Sequence, residues 1–222
     1  MNKRIIISGI LILSIAIIAK MLFVALKNIK TDEFNKSAVI FVLDSSASNQ
    51  EKLDNEIKYL KSLCSILDPE DEIKIIKVSK ESYLIFEGSP SDASGITKAV
   101  SKYAKFEKNT NDALYSAAIK KAFTHCITMA REGYNPSIVV IGDLDDEYNI
   151  EGQINWETLP KNIKNVKKYI PQFAMMFVYA HPKKLDMVKE KLTPVLGEKK
   201  LIVVNEQNAE KSQRRFLSAI GR

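Results

Sequence analysis

The feature that most constrains the fold is a repeated alternation between short apolar runs and amphipathic segments. The runs SAVIFVL (37–43), SIVVIG (137–142), QFAMMFVYA (172–180) and KLIVVN (200–205) are rich in β-branched or large apolar residues. Such runs are typical of strands that are buried on both faces of a parallel sheet. Because a helical pattern follows each run, the sequence predicts an α/β fold in which a doubly wound, mostly parallel central sheet is covered on both faces.

Further elements complete this pattern. Alternating runs at 72–79 and 82–88 predict a pair of strands, and apolar residues at helical spacing predict a helix over 50–67 that ends at Asp68-Pro69. The remaining helices are predicted at 89–104, 111–131, 154–170, 183–196 and 206–220. Ligands of open α/β sheets bind at the carboxyl ends of the strands. Functional residues are therefore expected directly after Leu43, Gly142, Ala180 and Asn205.

The chain begins with a long apolar segment. Residues 5–26 contain one lysine in 22 positions, and a helix of that length spans about 33 Å, enough to cross the hydrocarbon core of a bilayer. The small-residue pattern of a signal-peptide cleavage site is missing. We therefore predict an uncleaved transmembrane anchor over 1–30, a linker over 31–36 and one domain over 37–222.

The charges that flank the anchor bear on its orientation. Lys3 and Arg4 favour a cytoplasmic N-terminus, so the body is predicted to lie outside the cytoplasm. Lys27 and Lys30, which follow the anchor, keep the cytoplasmic side open as the alternative.

Net charge argues against a nucleic-acid partner. The formal charge is +6, but residues 1–30 hold five basic side chains and no acid, so the other 192 residues carry 28 basic and 27 acidic side chains. A nearly neutral body has no long-range attraction for a polyanion. The two cysteines, Cys64 and Cys126, cannot form a disulfide framework. One disulfide and two buried thiols both remain open.

Acidic residues follow the two strands that are expected at the centre of the sheet. Asp44-Ser45-Ser46-Ala47-Ser48 comes directly after the first strand, and Asp143 follows the run at 137–142 with further acids behind it. Carboxylates that meet at one edge repel each other unless a positive group lies between them. Because carboxylate and hydroxyl oxygens are hard ligands, the pattern suits Mg²⁺ or Mn²⁺ better than zinc.

With Asp44, Ser46 and Ser48 at Asp-x-Ser-x-Ser spacing, the sequence resembles von Willebrand factor type A domains over about residues 37–222. The metal-ion-dependent adhesion site of that family adds a Thr before a central helix and an Asp after the fourth strand. Asp143 matches the latter position. Thr110 is the candidate for the former, although an alignment on Ala113-Leu114-Tyr115 puts Asp112 there instead.

The resemblance implies a binding module and not an enzyme. Its implied ligands for Mg²⁺, or alternatively Mn²⁺ or Ca²⁺, are Asp44, Ser46, Ser48, Thr110 and Asp143. An acidic side chain of a partner protein would complete the coordination of the ion. Leu144 replaces the usual Gly after Asp143, so a metal-free scaffold remains an alternative. A magnesium-dependent phosphatase is a further alternative, but Ser46 stands where such an enzyme needs a second acid.

Overall fold

The computed structural model describes residues 36–46, 49–78, 82–103, 114–144, 153–205 and 207–222. The predicted anchor over 1–30 and residues 31–35 of the predicted linker lie outside these residues, whereas Lys36, the last residue of that linker, is the first residue of a strand. Within the described ranges, none of the helices combines the length and the apolar character that crossing a bilayer requires.

The described part of the chain contains six strands and six helices, which alternate except that β3 follows β2 directly and the third helix follows the second. The strands are β1 (Lys36–Asp44), β2 (Glu72–Val78), β3 (Tyr83–Gly88), β4 (Tyr134–Ile141), β5 (Met175–Val178) and β6 (Leu201–Val204). The helices are α1 (Gln50–Cys64), α2 (Ala93–Tyr103), α3 (Tyr115–Arg131), α4 (Leu159–Val166), α5 (Pro182–Leu196) and α6 (Ala209–Ala219).

The strands form one sheet in the order β3-β2-β1-β4-β5-β6. All neighbouring pairs are parallel except β2 and β3, which are antiparallel. This confirms the prediction of a doubly wound, mostly parallel sheet. Strand β1 lies at the centre, and every residue from Ser37 to Asp44 is buried, which explains why its sequence is apolar without alternation.

Helices cover both faces of the sheet. One hydrophobic core packs α3, α4 and α5 against one face, and the other packs α1, α2 and α6 against the opposite face. Cys126 belongs to the first core and Cys64 to the second, and both are free thiols. The structure thus decides between the two open alternatives in favour of buried thiols.

Strand β4 begins earlier than the apolar run indicates, at Tyr134 and not at Ser137. Pro136 is therefore inside the strand, opposite Ala38 of β1. The backbone N–H of Ile138, two residues later, bonds toward the β5 side, where pairing begins only at residue 138. The nitrogen of Pro136 faces the same side before β5 starts, so its missing N–H costs no ladder hydrogen bond.

Candidate functional site

Two acids lie at the carboxyl edge of the sheet because β1 and β4 are parallel neighbours. Leu43 pairs with Ile141, so Asp44 and Asp143 come at the ends of adjacent strands. Asp44 has no exposed surface and Asp143 is 6% exposed. Burial, with a smaller contribution from the charge of Asp143, raises the pKa of Asp44 to about 6, although hydrogen bonds from Tyr115 and Ser46 act in the opposite direction. Among the described residues, Asp44 takes part in no ion pair.

Hydrogen bonds fix the Asp44 carboxylate in place. Its Oδ1 accepts the backbone N–H of Ser46 at 2.8 Å, and its Oδ2 accepts the hydroxyl of Tyr115 at 2.6 Å. The same hydroxyl accepts the backbone N–H of Leu144 at 3.2 Å. Tyr115, the first residue of α3, therefore connects the end of β1 to the loop after β4.

Gly142 allows this close approach of the two strand ends. Its φ is +147°, and a Cβ built on it would lie 2.4 Å from the Cβ of Asp44 and 2.4 Å from the hydroxyl of Tyr115. The Cβ of Asp44 is bonded directly to its backbone, and the Tyr115 hydroxyl belongs to a fully buried ring and is hydrogen-bonded to both Asp44 and Leu144. A residue with a side chain therefore does not fit at this position without displacing the carboxylate of Asp44.

A second polar pair lies beside Asp44. Asn49, just before α1, donates its Nδ2 to the Oε2 of Glu56 at 2.6 Å and to the backbone oxygen of Asp44 at 3.4 Å. Glu56 and Asn49 are both fully buried. Burial raises the pKa of Glu56 to about 8, and the negative charges of Asp44 and Asp143 contribute to the increase.

Of the predicted site residues, the structure brings Asp44, Ser46 and Asp143 to one edge. Ser48, Thr110 and Asp112 lie outside the described residues. In the described ranges, no three His, Cys, Asp or Glu side chains are arranged as ligands around one metal ion.

Sequence reasoning missed Tyr115, Asn49 and Glu56. An aromatic residue at the start of an apolar helix face is expected in the core, where Tyr115 indeed lies, and its hydroxyl leaves no further signal in the sequence. The apolar spacing of α1 predicts Leu53 and Ile57 in the core, yet both are only half-buried while Glu56 between them is fully buried.

The donor chemistry of this edge fits the hard cation that the resemblance implies. Asp44 and Asp143 supply carboxylates and Ser46 a hydroxyl, all oxygen ligands of the type that Mg²⁺ and Mn²⁺ prefer. An ionised carboxylate has about four acceptor sites, so the two hydrogen bonds on Asp44 leave room for a metal-bound water. The charge of Asp143, which adds to the effect of burial on the pKa of Asp44, is one that a bound cation would offset.

A groove of about 810 Å³ opens between α1 and α6 at the same edge of the sheet. The exposed side chains of Lys52 and Lys58 contribute to its wall. The rings of Tyr59 and Tyr179 lie in it edge to face, with their centroids 5.7 Å apart. The groove therefore combines two lysines and one acid, Glu210, with aromatic surface at the edge of the sheet where the strands end.

The fold and the edge together define an open-sheet α/β domain with a polar site where β1 and β4 end. Residues 39–145 match the family described as von Willebrand factor type A (VWA) domain. The match covers just under half of the chain, and over those residues the body is similar to VWA domains. Domains of this family are generally modules for protein interaction. No curated protein matches the chain in sequence.

Solved structures with the same fold come from very different proteins. The VWA domain of SpRpn10 is 11% identical, with a TM-score of 0.58 over 80% of this chain and 93% of that one. An aerotolerance-related membrane protein from Bacteroides fragilis is 16% identical, with a TM-score of 0.56 over 83% and 98%.

A third similar structure is proximal thread matrix protein 1 from the mussel byssus, described with a zinc-occupied MIDAS motif. It is 10% identical, with a TM-score of 0.54 over 84% of this chain. This chain spans about half, 48%, of the length of that protein. Identities this low show the fold alone.

Proposed function

We propose that this chain is a membrane-anchored VWA module that binds a partner protein through a divalent cation. The cation would be held by the residues that the resemblance implies, namely Asp44, Ser46, Ser48, Thr110 and Asp143. An acidic side chain of the partner would complete its coordination. The observation that carries this proposal is the buried pair of strand-end carboxylates, Asp44 and Asp143, in surroundings that raise the pKa of Asp44 to about 6.

Other observations support an acidic partner at this edge. Lys52 and Lys58 lie in the adjacent groove, where they would attract negative charge and speed the encounter with such a partner. The zinc at the MIDAS motif of the mussel byssus protein supports a cation at the corresponding place here. In this proposal, the side chains of Asp44 and Asp143 orient the ion and Ser46 contributes a hydroxyl oxygen.

Residues 5–26 would anchor the module, with the N-terminus in the cytoplasm and the body outside it. The apolar length of this segment supports an anchor. A similar structure belongs to a protein that is described as a membrane protein, which agrees with such a location.

The alternative function is a metal-free VWA scaffold, and Tyr115 is the observation that favours it. Its hydroxyl and the N–H of Ser46 already supply one donor to each oxygen of Asp44. With these donors and a raised pKa, the carboxylate could remain in the fold without a cation.

Thermal unfolding of the full chain in detergent, with and without millimolar Mg²⁺ or Mn²⁺, distinguishes the cation-binding module from the metal-free scaffold. A cation at a hundredfold excess over its Kd adds about 2.7 kcal/mol, or roughly 5–10 °C in Tm for a domain of this size. Asp143→Ala should abolish the increase. Asp54→Ala, which removes an exposed acid of α1, should leave it unchanged. A wild-type Tm that changes with neither cation would support the metal-free scaffold.

Partner binding is tested by affinity capture from detergent-solubilised membranes of the source cells. We expect a protein that is retained in Mg²⁺, released by chelator and absent with the Asp143→Ala chain, whereas Asp54→Ala retains it. Capture that is equal with and without chelator would contradict a cation-bridged contact.

A further inference from the structure

Five lysines lie at the amino edge of the sheet, where its parallel strands begin. A helix that connects two parallel strands leads to the start of the next strand, so α4 leads to the start of β5 and α5 to the start of β6. We call the five residues the lysine edge: Lys164, Lys167, Lys168, Lys199 and Lys200. Over residues 159–172 the chain contains no acid, and over 197–200 the one acid is Glu198. The approach to β5 and β6 is therefore strongly positive.

Hydrogen bonds hold two of these lysines close to the protein. Lys200 donates its Nζ to the Oε1 of Gln172 at 2.7 Å, and Lys167 donates its Nζ to the backbone oxygen of Val195 at 2.7 Å. Both acceptors are neutral, so they do not balance the positive charges. Burial, with a smaller contribution from the charge of Lys167, lowers the pKa of Lys200. The two ammonium groups are thus near enough to repel each other, and an anion between them would relieve this repulsion.

The lysine edge differs in its charges from the amino edge beside β1 and β2. There, Lys36 Nζ lies 3.3 Å from Glu70 Oε2, and Arg222 pairs with Asp71. At the lysine edge, no lysine forms an ion pair with a residue in the described ranges. Three of its five lysines are exposed, and the other two are half-buried. Positive charge in excess of the one acid, Glu198, therefore faces solvent before β5 and β6.

An exposed aromatic ring lies beside these lysines. Tyr169 directly follows Lys168 and is 74% exposed, the largest value for any large hydrophobic residue in the part of the chain that the structure describes. Tyrosine is enriched at the head-group level of bilayers, because its ring is apolar and its hydroxyl is polar. Lysines close to a membrane surface are attracted by anionic head groups. An exposed tyrosine among unpaired lysines therefore suits a lipid surface.

The course of the chain favours a lipid surface over an acidic protein as the source of negative charge. Strand β1, the first element of the described residues, begins at Lys36 at this same edge. The polypeptide that follows the predicted anchor over 1–30 thus enters the domain at the edge that carries the lysines. An anchored chain is held permanently at a bilayer, whereas a soluble protein has to be met by diffusion. We rest this step on the anchor of the proposed function, and it requires neither the cation nor its ligands.

We propose that the lysine edge and Tyr169 dock the domain on anionic head groups of the membrane in which the chain is anchored. Head-group phosphates would lie against the five lysines, and the ring of Tyr169 would enter the head-group region. The carboxyl edge, at the opposite ends of the strands, would remain accessible to the partner protein. Each lysine close to an anionic surface adds roughly fivefold to the affinity for that surface.

The test places a fluorescent reporter at residue 169 of the full chain. Tyr169→Cys is labelled with the environment-sensitive dye NBD while Cys64 and Cys126 stay buried, and it is reconstituted in vesicles of phosphatidylcholine with or without one quarter phosphatidylglycerol. We expect NBD emission to rise about twofold with phosphatidylglycerol, because the lysines draw residue 169 into the head-group region. The rise should disappear in 1 M NaCl, where the Debye length is about 3 Å.

Variants separate docking from a general effect of charge. Lys164→Glu/Lys168→Glu, at two exposed positions, should weaken docking by more than roughly 25-fold and abolish the rise. The matched control, Lys98→Glu/Lys183→Glu, makes the same charge change at exposed positions on α2 and at the start of α5 and should keep it. NBD at Asn205→Cys, an exposed position directly after β6, should show no rise.

Each other result has a definite meaning. Equal emission at residue 169 in both kinds of vesicle would overturn the proposal, and so would a rise that Lys164→Glu/Lys168→Glu keeps or that NBD at residue 205 also shows. These outcomes leave the anchor in place if alkaline carbonate fails to extract the chain from phosphatidylcholine vesicles. A chain that carbonate does extract has no anchor, which refutes both the anchor and the docking while leaving the cation site untouched.

Discussion

Replacing Gly142 by alanine tests whether the two strand ends must approach each other closely. The new Cβ would lie 2.4 Å from the Cβ of Asp44 and from the hydroxyl of Tyr115, at a φ of +147°. Positive φ costs a residue with a side chain about 1–3 kcal/mol. Overpacking adds about 1–3 kcal/mol more. We therefore expect Gly142→Ala to lower the free energy of unfolding by roughly 2–6 kcal/mol.

Gly197→Ala provides the matched control, because Gly197 also has a positive φ, +78°. Apart from its chain neighbours, no heavy atom of the described residues lies within 4 Å of the position that its Cβ would occupy. This variant should show only the conformational cost of about 1–3 kcal/mol. Thermal unfolding of both full-length variants, followed by circular dichroism, gives the comparison. A central difference of about 2 kcal/mol corresponds to roughly 4–8 °C in Tm. Equal Tm values for the two variants would refute the argument that β1 and β4 leave no room at residue 142.

Three more predictions concern side chains near the edge and in the cores. The folded pKa of Glu56, about 8, lies above the ordinary 4.5. In chelator the stability of the wild type should therefore fall by a few kcal/mol as pH rises from about 4.5 through 8. Glu56→Gln should make this fall smaller in thermal melts and leave the part that comes from the raised pKa of Asp44, and an unchanged profile would argue against an ionisable Glu56. Tyr115→Phe removes a donor from Asp44 and an acceptor from Leu144 and should cost about 1–3 kcal/mol. Tyr59→Phe removes a hydroxyl contact to the sulfur of Met176 at 3.4 Å and should lower the free energy of unfolding less than Tyr115→Phe does. Equal decreases for the two variants in chemical denaturation would contradict the role of Tyr115. Cys64 and Cys126 are buried free thiols, and burial raises the pKa of each. A thiol reagent should therefore label both only after the protein is unfolded. If both stay unlabelled in unfolded, unreduced protein, they form a disulfide.

The fold could be predicted because strand and helix patterns in this chain are local and strong. Strand β1 is buried on both faces, and its apolar run contains no polar positions that would suggest a helix. The ends of elements were harder to predict. Pro136 suggested that β4 starts after it, yet the strand includes it because β5 has not begun at that level.

The site could be predicted only where ligands follow strands. Asp44 and Ser46 belong to one short motif, and Asp143 follows a neighbouring strand, so topology alone brings them to one edge. Glu56 could not be found in this way, because an acid in an amphipathic helix ordinarily faces solvent. Its burial depends on how α1 lies against β1, which is a tertiary property that helical spacing does not encode.

The most direct test of the central claim is a crystal structure of the protein grown with Mn²⁺, measured at the manganese absorption edge. We expect an anomalous difference peak at the carboxyl edge of the sheet, bounded by the side chains of Asp44, Ser46 and Asp143. A well-ordered edge without a peak there, at Mn²⁺ concentrations that saturate the protein in solution, would contradict it.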